Sequence, residues 1–128
     1  MHTRKEELAA VEMLTARSDF IAIQSGGEKW ISQGLILQVR KNDLGLIRTG
    51  FTVSKKVDKS AVKRNRIKRR LRSVMADTLP KLAKEGYDYI LVGRKLTATR
   101  SYDDLLKDLK WCLKKLDLYQ SGNIEKVE

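Results

Sequence analysis

Two stretches in the first half of the chain alternate between apolar and polar residues, one over 34–40 and one over 47–54. Alternation with a period of two is typical of strands that bury one face. Asn42-Asp43 with Gly45 gives a turn signal between them, so the two strands are predicted to pair as a hairpin. Their polar positions predict a polar and partly basic sheet face, formed by Gln38, Arg40, Arg48, Thr52 and Ser54.

The second half of the chain changes to a helical period. From Ser60 to Leu79 the apolar residues recur at helical spacing, and Pro80 follows where the helix is predicted to stop. Residues 89–92 are continuously apolar and predict a strand that is buried on both faces. A last helix is predicted to begin at Ser101, with an apolar stripe formed by Leu105, Leu109, Cys112, Leu113 and Leu116.

A short helix is predicted near the N-terminus, from Asp19 to Gln24, with Ser18 as its cap. With one further strand before the basic helix, the predicted order is α-β-β-β-α-β-α. This order indicates an α+β fold, an α/β sandwich in which helices pack on one face of a mixed sheet. Residues 14–119 are predicted to form one domain. An N-terminal arm or frayed helix is predicted over 1–13 and a C-terminal tail over 120–128.

Charge is distributed very unevenly along this pattern. The chain has 27 Lys and Arg against 16 Asp and Glu, a net charge of +11. The 19 residues of 54–72 contain ten basic residues and one acid, so they account for +9 of that excess. A field of this sign attracts polyanions, and its concentration in one segment indicates a localised nucleic-acid footprint.

The segment 63–72 falls on the predicted basic helix and has seven basic residues in ten. At 100° per residue, Ile67 and Leu71 point inward, while Asn65, Arg66, Arg69 and Arg72 lie on the opposite face. Five of the seven are arginines, whose planar guanidinium grips two phosphate oxygens at once. The pattern therefore predicts that this helix and the residues before it bind RNA.

Residues for catalysis or metal binding are scarce. His2 is the only histidine, Cys112 is the only cysteine, and no His/Cys cluster has metal-ligand spacing. We therefore expect no catalytic residue, no metal or other cofactor on the protein, and no disulfide within the chain. No apolar run approaches the roughly 20 residues of a membrane span, and the N-terminus lacks the features of a secretory signal, so a cytoplasmic location is expected.

Several motifs together resemble the bacterial ribonuclease P protein subunit family. The sequences FTVSKK at 51–56, Ala61-Val62 and RNRIKRRLR at 64–72 carry the resemblance. RSDF at 17–20 and YDYI at 87–90 agree with it. The similarity covers about 14–119 and implies a left-handed β-α-β crossover. In this family a catalytic RNA removes the 5′ leader of precursor tRNA, with magnesium ions at the RNA, and the protein is non-catalytic.

The resemblance also implies which residues contact RNA. Those expected to dock on the catalytic RNA are Lys55, Lys56, Arg64, Asn65, Arg66, Lys68, Arg69 and Arg72. Those expected in a cleft for the single-stranded leader are Phe20, Gln24, Ile36, Gln38, Arg48 and Thr52. The family often has an aromatic residue at the position of Gln24, and some members have one at that of Gln38. Residues 58–60 are one longer than the usual Gly-Asn. The expected partners are the catalytic RNA and precursor tRNA, with the protein itself monomeric and not bound to a membrane.

Three other classes of protein share part of the pattern. A ribosomal or other structural RNA-binding protein has the same charge and basic helix. A helix-turn-helix DNA regulator needs a second helix three or four residues from the basic one, whereas the neighbours here are predicted strands. A stand-alone nuclease is disfavoured because histidine and metal ligands are missing.

Overall fold

The computed structural model describes residues 11–120. Within that range five strands and three α-helices form a mixed sheet with packed helices, which confirms the predicted α+β class. A 3₁₀ turn, Lys95–Ala98, follows the last strand. The elements in chain order are β1 (Val11–Met13), α1 (Arg17–Gly26), β2 (Glu28–Ile31), β3 (Leu35–Lys41), β4 (Ile47–Thr52), α2 (Ala61–Leu82), β5 (Tyr87–Gly93) and α3 (Tyr102–Lys115).

The sheet has the strand order β1-β4-β5-β3-β2. β4 is parallel to β1 and β5, while β3 is antiparallel to β5 and β2. The predicted hairpin of β3 and β4 is wrong, because β5 lies between them and pairs with both. Its continuously apolar run, Tyr89 to Val92, suits this central place, where both faces and both edges are covered.

Adjacent residues of β5 show that the helices cover both faces of the sheet. Tyr89 and Leu91 pack in the large core beneath α2 and α3, while Ile90 packs with Ile23 of α1 in a second cluster. Successive side chains of a strand point to opposite faces. The expectation that the helices share one face therefore holds for α2 and α3 but is wrong for α1. Alternation marks one face as polar but does not show that a short helix covers part of it.

Two predicted helix boundaries are wrong. α1 begins at Arg17 after Ala16, so Ser18 lies inside its first turn and does not cap it. α2 continues through Pro80 to Leu82. A proline so near a helix end affects only the last turn, and the buried Leu79 keeps that turn packed on the core. The predicted cap of α3 is confirmed, since the Ser101 hydroxyl accepts a hydrogen bond from the Asp104 amide at 3.1 Å.

The N-terminal boundary of the ordered domain also differs from the expectation. Val11–Met13 form β1 and pair with β4, so they belong to the sheet and not to an arm. The rest of the predicted arm and the tail after residue 120 lie outside the described residues. β4 and β5 are parallel neighbours joined through α2, so the expected crossover unit is present, and its left hand remains a prediction.

Candidate nucleic-acid interface

The N-terminal half of α2 presents a basic face to solvent. Ser60 caps the helix by accepting a hydrogen bond from the Lys63 amide at 3.3 Å. Ile67 and Leu71 are buried against the sheet, which turns the other side of the helix outward. The residues that sequence placed on that outer face are all exposed: Asn65, Arg66, Arg69 and Arg72.

Two other arginines of α2 hold the backbone around the helix. The Nη1 atom of Arg64 donates to the carbonyls of both Asp58 and Lys59, at 2.8 and 2.9 Å, and so holds the loop before α2 closed. Arg70 donates to the carbonyl of Ala98 at 3.0 Å and to that of Arg100. Arg64 therefore has a structural task besides its predicted RNA contact. The clamp made by Arg70 was missed, because its partners are about 30 residues away in sequence.

The loop between β4 and α2 carries Lys55 and Lys56, which are both exposed. Lys56 lines a cavity of about 430 Å³ at the ends of β4 and β5. Ile36, predicted for the leader cleft, lies in the floor of this cavity, and Arg94 and Lys95 add further positive charge to its wall. Lys68 on α2 is half-buried.

A second cavity, of about 410 Å³, lies between α1 and β4. Three of the predicted cleft residues, Phe20, Gln24 and Thr52, line it together. The Phe20 ring packs directly over Gly50, where a Cβ atom would lie only 2.5 Å from the ring's Cζ atom. Phe20 is half-buried, so the ring contacts the sheet and also contributes to the cavity wall.

Arg48 and Gln38 lie on the same sheet face but line neither cavity. The Nε and Nη2 atoms of Arg48 donate to the buried Asp88 carboxylate at 2.8 and 2.7 Å, and Asp19 of α1 lies 3.8 Å from its Nη1 atom. Hydrogen bonding to Asp88 raises the pKa of Arg48 above its ordinary value. Arg48 thus ties α1 to the sheet. Among the described residues, the buried Gln38 Oε1 has no hydrogen-bond partner.

The basic face of α2 borders the cavity beneath α1. The guanidinium carbon of Arg72 lies 5.4 Å from the centre of the Phe51 ring, and Phe51 also lines that cavity. β1 ends its pairing at Thr49, so the last residues of β4 form an open edge where the two surfaces meet. Residues 59–72 contain no Asp or Glu, so the part of α2 that borders the cavity carries only basic and neutral side chains.

Within residues 11–120, no group of three or more His, Cys, Asp or Glu residues is arranged to hold a metal ion. The one histidine, His2, precedes the described part. None of the helices between those same limits is both long and apolar enough to cross a membrane.

An arginine-rich helix that borders an open cleft on a mixed sheet defines a nucleic-acid-binding protein of the α+β class. Comparison with known sequences is more specific. The family model described as Ribonuclease P matches residues 8–117. The chain belongs to this family.

The similar proteins agree with this assignment. The ribonuclease P protein component of Paramagnetospirillum magneticum is 44% identical over 117 residues, which cover 88% of this chain and 87% of that protein. That of Ruegeria pomeroyi is 43% identical over 112 residues, covering 84% and 88%. The fold matches the RNase P protein of Staphylococcus aureus with a TM-score of 0.70 at 23% identity, covering 84% of this chain and 97% of that one. The Thermotoga maritima protein matches with a TM-score of 0.66 at 24% identity, covering 77% and 91%.

Proposed function

We propose that this chain is the non-catalytic protein subunit of a cytoplasmic ribonuclease P. The basic face of α2 and the loop before it bind the catalytic RNA. The cavity beneath α1 receives the single-stranded 5′ leader of precursor tRNA. Hydrolysis of the phosphodiester bond is carried out by the RNA, with Mg²⁺ bound there.

The observation that carries the proposal is the exposed face of α2. Arg66, Arg69 and Arg72 present three guanidinium groups within two helical turns, and Asn65 lies beside them. Like charges at this density destabilise a free helix, and RNA phosphates relieve the repulsion. The side chain of Asn65 both donates and accepts, so it suits a ribose hydroxyl or a base edge.

The cavity beneath α1 supports the leader assignment. It offers one aromatic ring, Phe20, with the polar side chains of Gln24 and Thr52 beside it. Unpaired bases are recognised by stacking on aromatic rings and by hydrogen bonds to their edges, and a base-paired duplex is too wide for a cavity of this size. The site therefore suits a single strand, which distinguishes the leader from the paired stem of the tRNA.

Reconstitution with a bacterial ribonuclease P RNA and a precursor tRNA tests the proposal. The protein should stimulate leader removal at low magnesium, and its affinity for the RNA should fall with salt by about 0.7–0.9 log units per phosphate contact for each log unit of salt. The double variant Arg66→Glu and Arg69→Glu, which reverses both charges, should flatten that slope and abolish stimulation at low magnesium, without loss of fold.

The matched control is the double variant Lys41→Glu and Lys81→Glu, which changes the net charge equally at exposed positions away from this face. It should retain most of the stimulation. Equal losses in the two double variants would show that overall charge, and not the α2 face, is responsible. Cleavage of precursor tRNA by the protein without RNA would contradict the non-catalytic role.

A further inference from the structure

Both tryptophans of the chain lie together at the β2 edge of the sheet, and neither belongs to the exposed face of α2 or lines the cavity beneath α1. Trp30 of β2 is 38% exposed and Trp111 of α3 is 50% exposed. The Lys115 Nζ atom lies 4.5 Å from the centre of the Trp111 ring and 5.8 Å from that of Trp30. We call these three residues the tryptophan platform. Large aromatic rings that form an adjoining exposed patch often mark an interaction site.

We propose that the tryptophan platform binds an unpaired nucleotide of RNA, as a second contact that is independent of α2 and of the leader cavity. A base would stack on the exposed Trp111 ring, and its phosphate would be met by the surrounding cations. Base stacking on aromatic side chains beside positive charge is how proteins hold single strands without sequence preference. The inference rests on the proposed function only in taking RNA as the occupant.

Charge around Trp111 favours RNA over a protein partner. On α3 the neighbours one turn before and after Trp111 are Lys107, Asp108, Lys114 and Lys115. The single acid among them, Asp108, is 8% exposed and is held by Arg100 at 2.6 Å, so its charge is compensated. On α3, the surface that remains within one turn of the ring is cationic and suits a phosphate chain.

A cavity of about 490 Å³ opens beside Trp111 and is large enough for a nucleotide. Arg94 and Arg100 line it, and Arg94 also lines the cavity beside Lys56. Arg94 donates to the Ser32 carbonyl at 2.5 Å, and Arg100 donates to Asp108 and to the Gln33 side chain. A guanidinium has five N–H donors, so these bonds hold each group in place and leave donors for a phosphate.

α2 and α3 pack against each other on one face of the sheet, and Arg70 of α2 donates to the Arg100 carbonyl near the platform. The platform nevertheless lies at the other end of the sheet from α2, because α2 packs on β4 and β5 whereas α3 packs on β3 and β2, the strand at the far edge. The platform therefore adds a second point of attachment, which orients the protein on a large RNA as well as holding it.

Intrinsic fluorescence tests the platform directly, because Trp30 and Trp111 are the only tryptophans. The probe is a labelled single-stranded oligoadenylate of about ten nucleotides, within the range that single-strand binding sites cover. Anisotropy reports all RNA binding, and tryptophan quenching reports stacking on the platform. Quenching should occur in the wild type and persist in the variant carrying Arg66→Glu and Arg69→Glu.

Trp111→Leu should weaken the binding that remains in that variant by roughly 5- to 150-fold, as expected for one lost stack, and Trp111→Tyr should restore most of it. Lys115→Glu should also weaken it. The matched control, Lys84→Glu, removes a lysine that lies 6.0 Å over Tyr87, and should have little effect.

Three results would contradict the proposal that the tryptophan platform binds RNA. The first is RNA bound by anisotropy with unchanged tryptophan fluorescence, and the second is quenching that disappears with Arg66 and Arg69. The third is a spectrum that changes with protein concentration in the absence of RNA, which would identify a second copy of the chain as the occupant. The proposed function fails by a different result, namely stimulation of precursor cleavage that survives reversal of Arg66 and Arg69.

Discussion

Replacing Phe20 with Ala removes two contacts of this ring, and the effects of the two losses can be measured separately. One contact is with the sheet at Gly50, and the other is with the cavity beneath α1. Loss of a stacked base is worth about 1–3 kcal/mol, so precursor tRNA should bind about 5- to 150-fold more weakly. Mature tRNA and the catalytic RNA do not use the cavity in the proposed arrangement, so their binding should stay almost unchanged.

The same substitution must also affect stability. A fully buried Phe→Ala change costs about 3–5 kcal/mol, and a half-buried ring should cost roughly half of that. Ile23→Ala is the matched control, because Ile23 packs in the same small cluster, is 1% exposed and does not line the cavity. It should lower the free energy of unfolding by at least as much without discriminating between leader-bearing and mature tRNA.

Equilibrium binding to the reconstituted ribonucleoprotein would be measured on precursors with leaders of increasing length, at a temperature where thermal melts show both variants folded. The effect of Phe20→Ala should appear only once the leader is long enough to reach the cavity. Gln24→Phe should strengthen precursor binding, since Gln24 lines the same cavity and a second ring would stand one helical turn from the first. If Phe20→Ala and Ile23→Ala weaken the binding of all the RNAs equally, Phe20 is a core residue and the cavity does not bind the leader.

Other variants examine the framework of the site. Asp88→Ala removes the acceptor of charge-assisted bonds from Arg48 and Asn42, so urea titration should show a loss of about 2–4 kcal/mol; a loss below 1 kcal/mol would mean that these bonds contribute little to the stability of the sheet. Burial raises the pKa of the Cys112 thiol to about 11, so a thiol reagent at pH 8 should modify it only in denaturant, and rapid reaction of the folded protein would contradict its burial. Burial, followed by its hydrogen bond to Asp77, raises the pKa of Tyr102 to about 12. The unfolded tyrosine ionises first, near pH 10, so stability should fall between about pH 10 and 12, and Tyr102→Phe should make that fall shallower.

The local sequence pattern predicted the helices and strands far better than it predicted which strands lie next to each other. The outer face of α2 follows from residue spacing alone, because Ile67 and Leu71 determine which side is buried. β3 and β4 also follow from alternation and β5 follows from its continuous apolar run, but the pairing of these strands does not. The turn after β3 is real, since the Leu44 amide donates to the Asn42 side chain at 3.0 Å. β4 nevertheless does not pair with β3. The apolar β5 lies between them, because that central position buries both of its faces.

The candidate site shows the same limit. Phe20, Gln24 and Thr52 line one cavity as the family resemblance implied, although they come from separate elements. Ile36 lines a different cavity, and Arg48 is engaged by Asp88, which lies 40 residues away. Partners so distant leave no trace in local spacing. For the same reason, the tryptophans of β2 and α3 could not be brought together before the sheet was known.

The central position of β5 has a consequence for the order in which the protein is made. β3 and β4 leave the ribosome without the strand that joins them, and they wait until residues 87–93 have been synthesised. The basic helix α2 comes out during that interval. We expect the nascent chain to expose its most cationic segment before it has a complete core. Premature contact with the abundant RNA around the ribosome is then a hazard of synthesis until β5 completes the sheet.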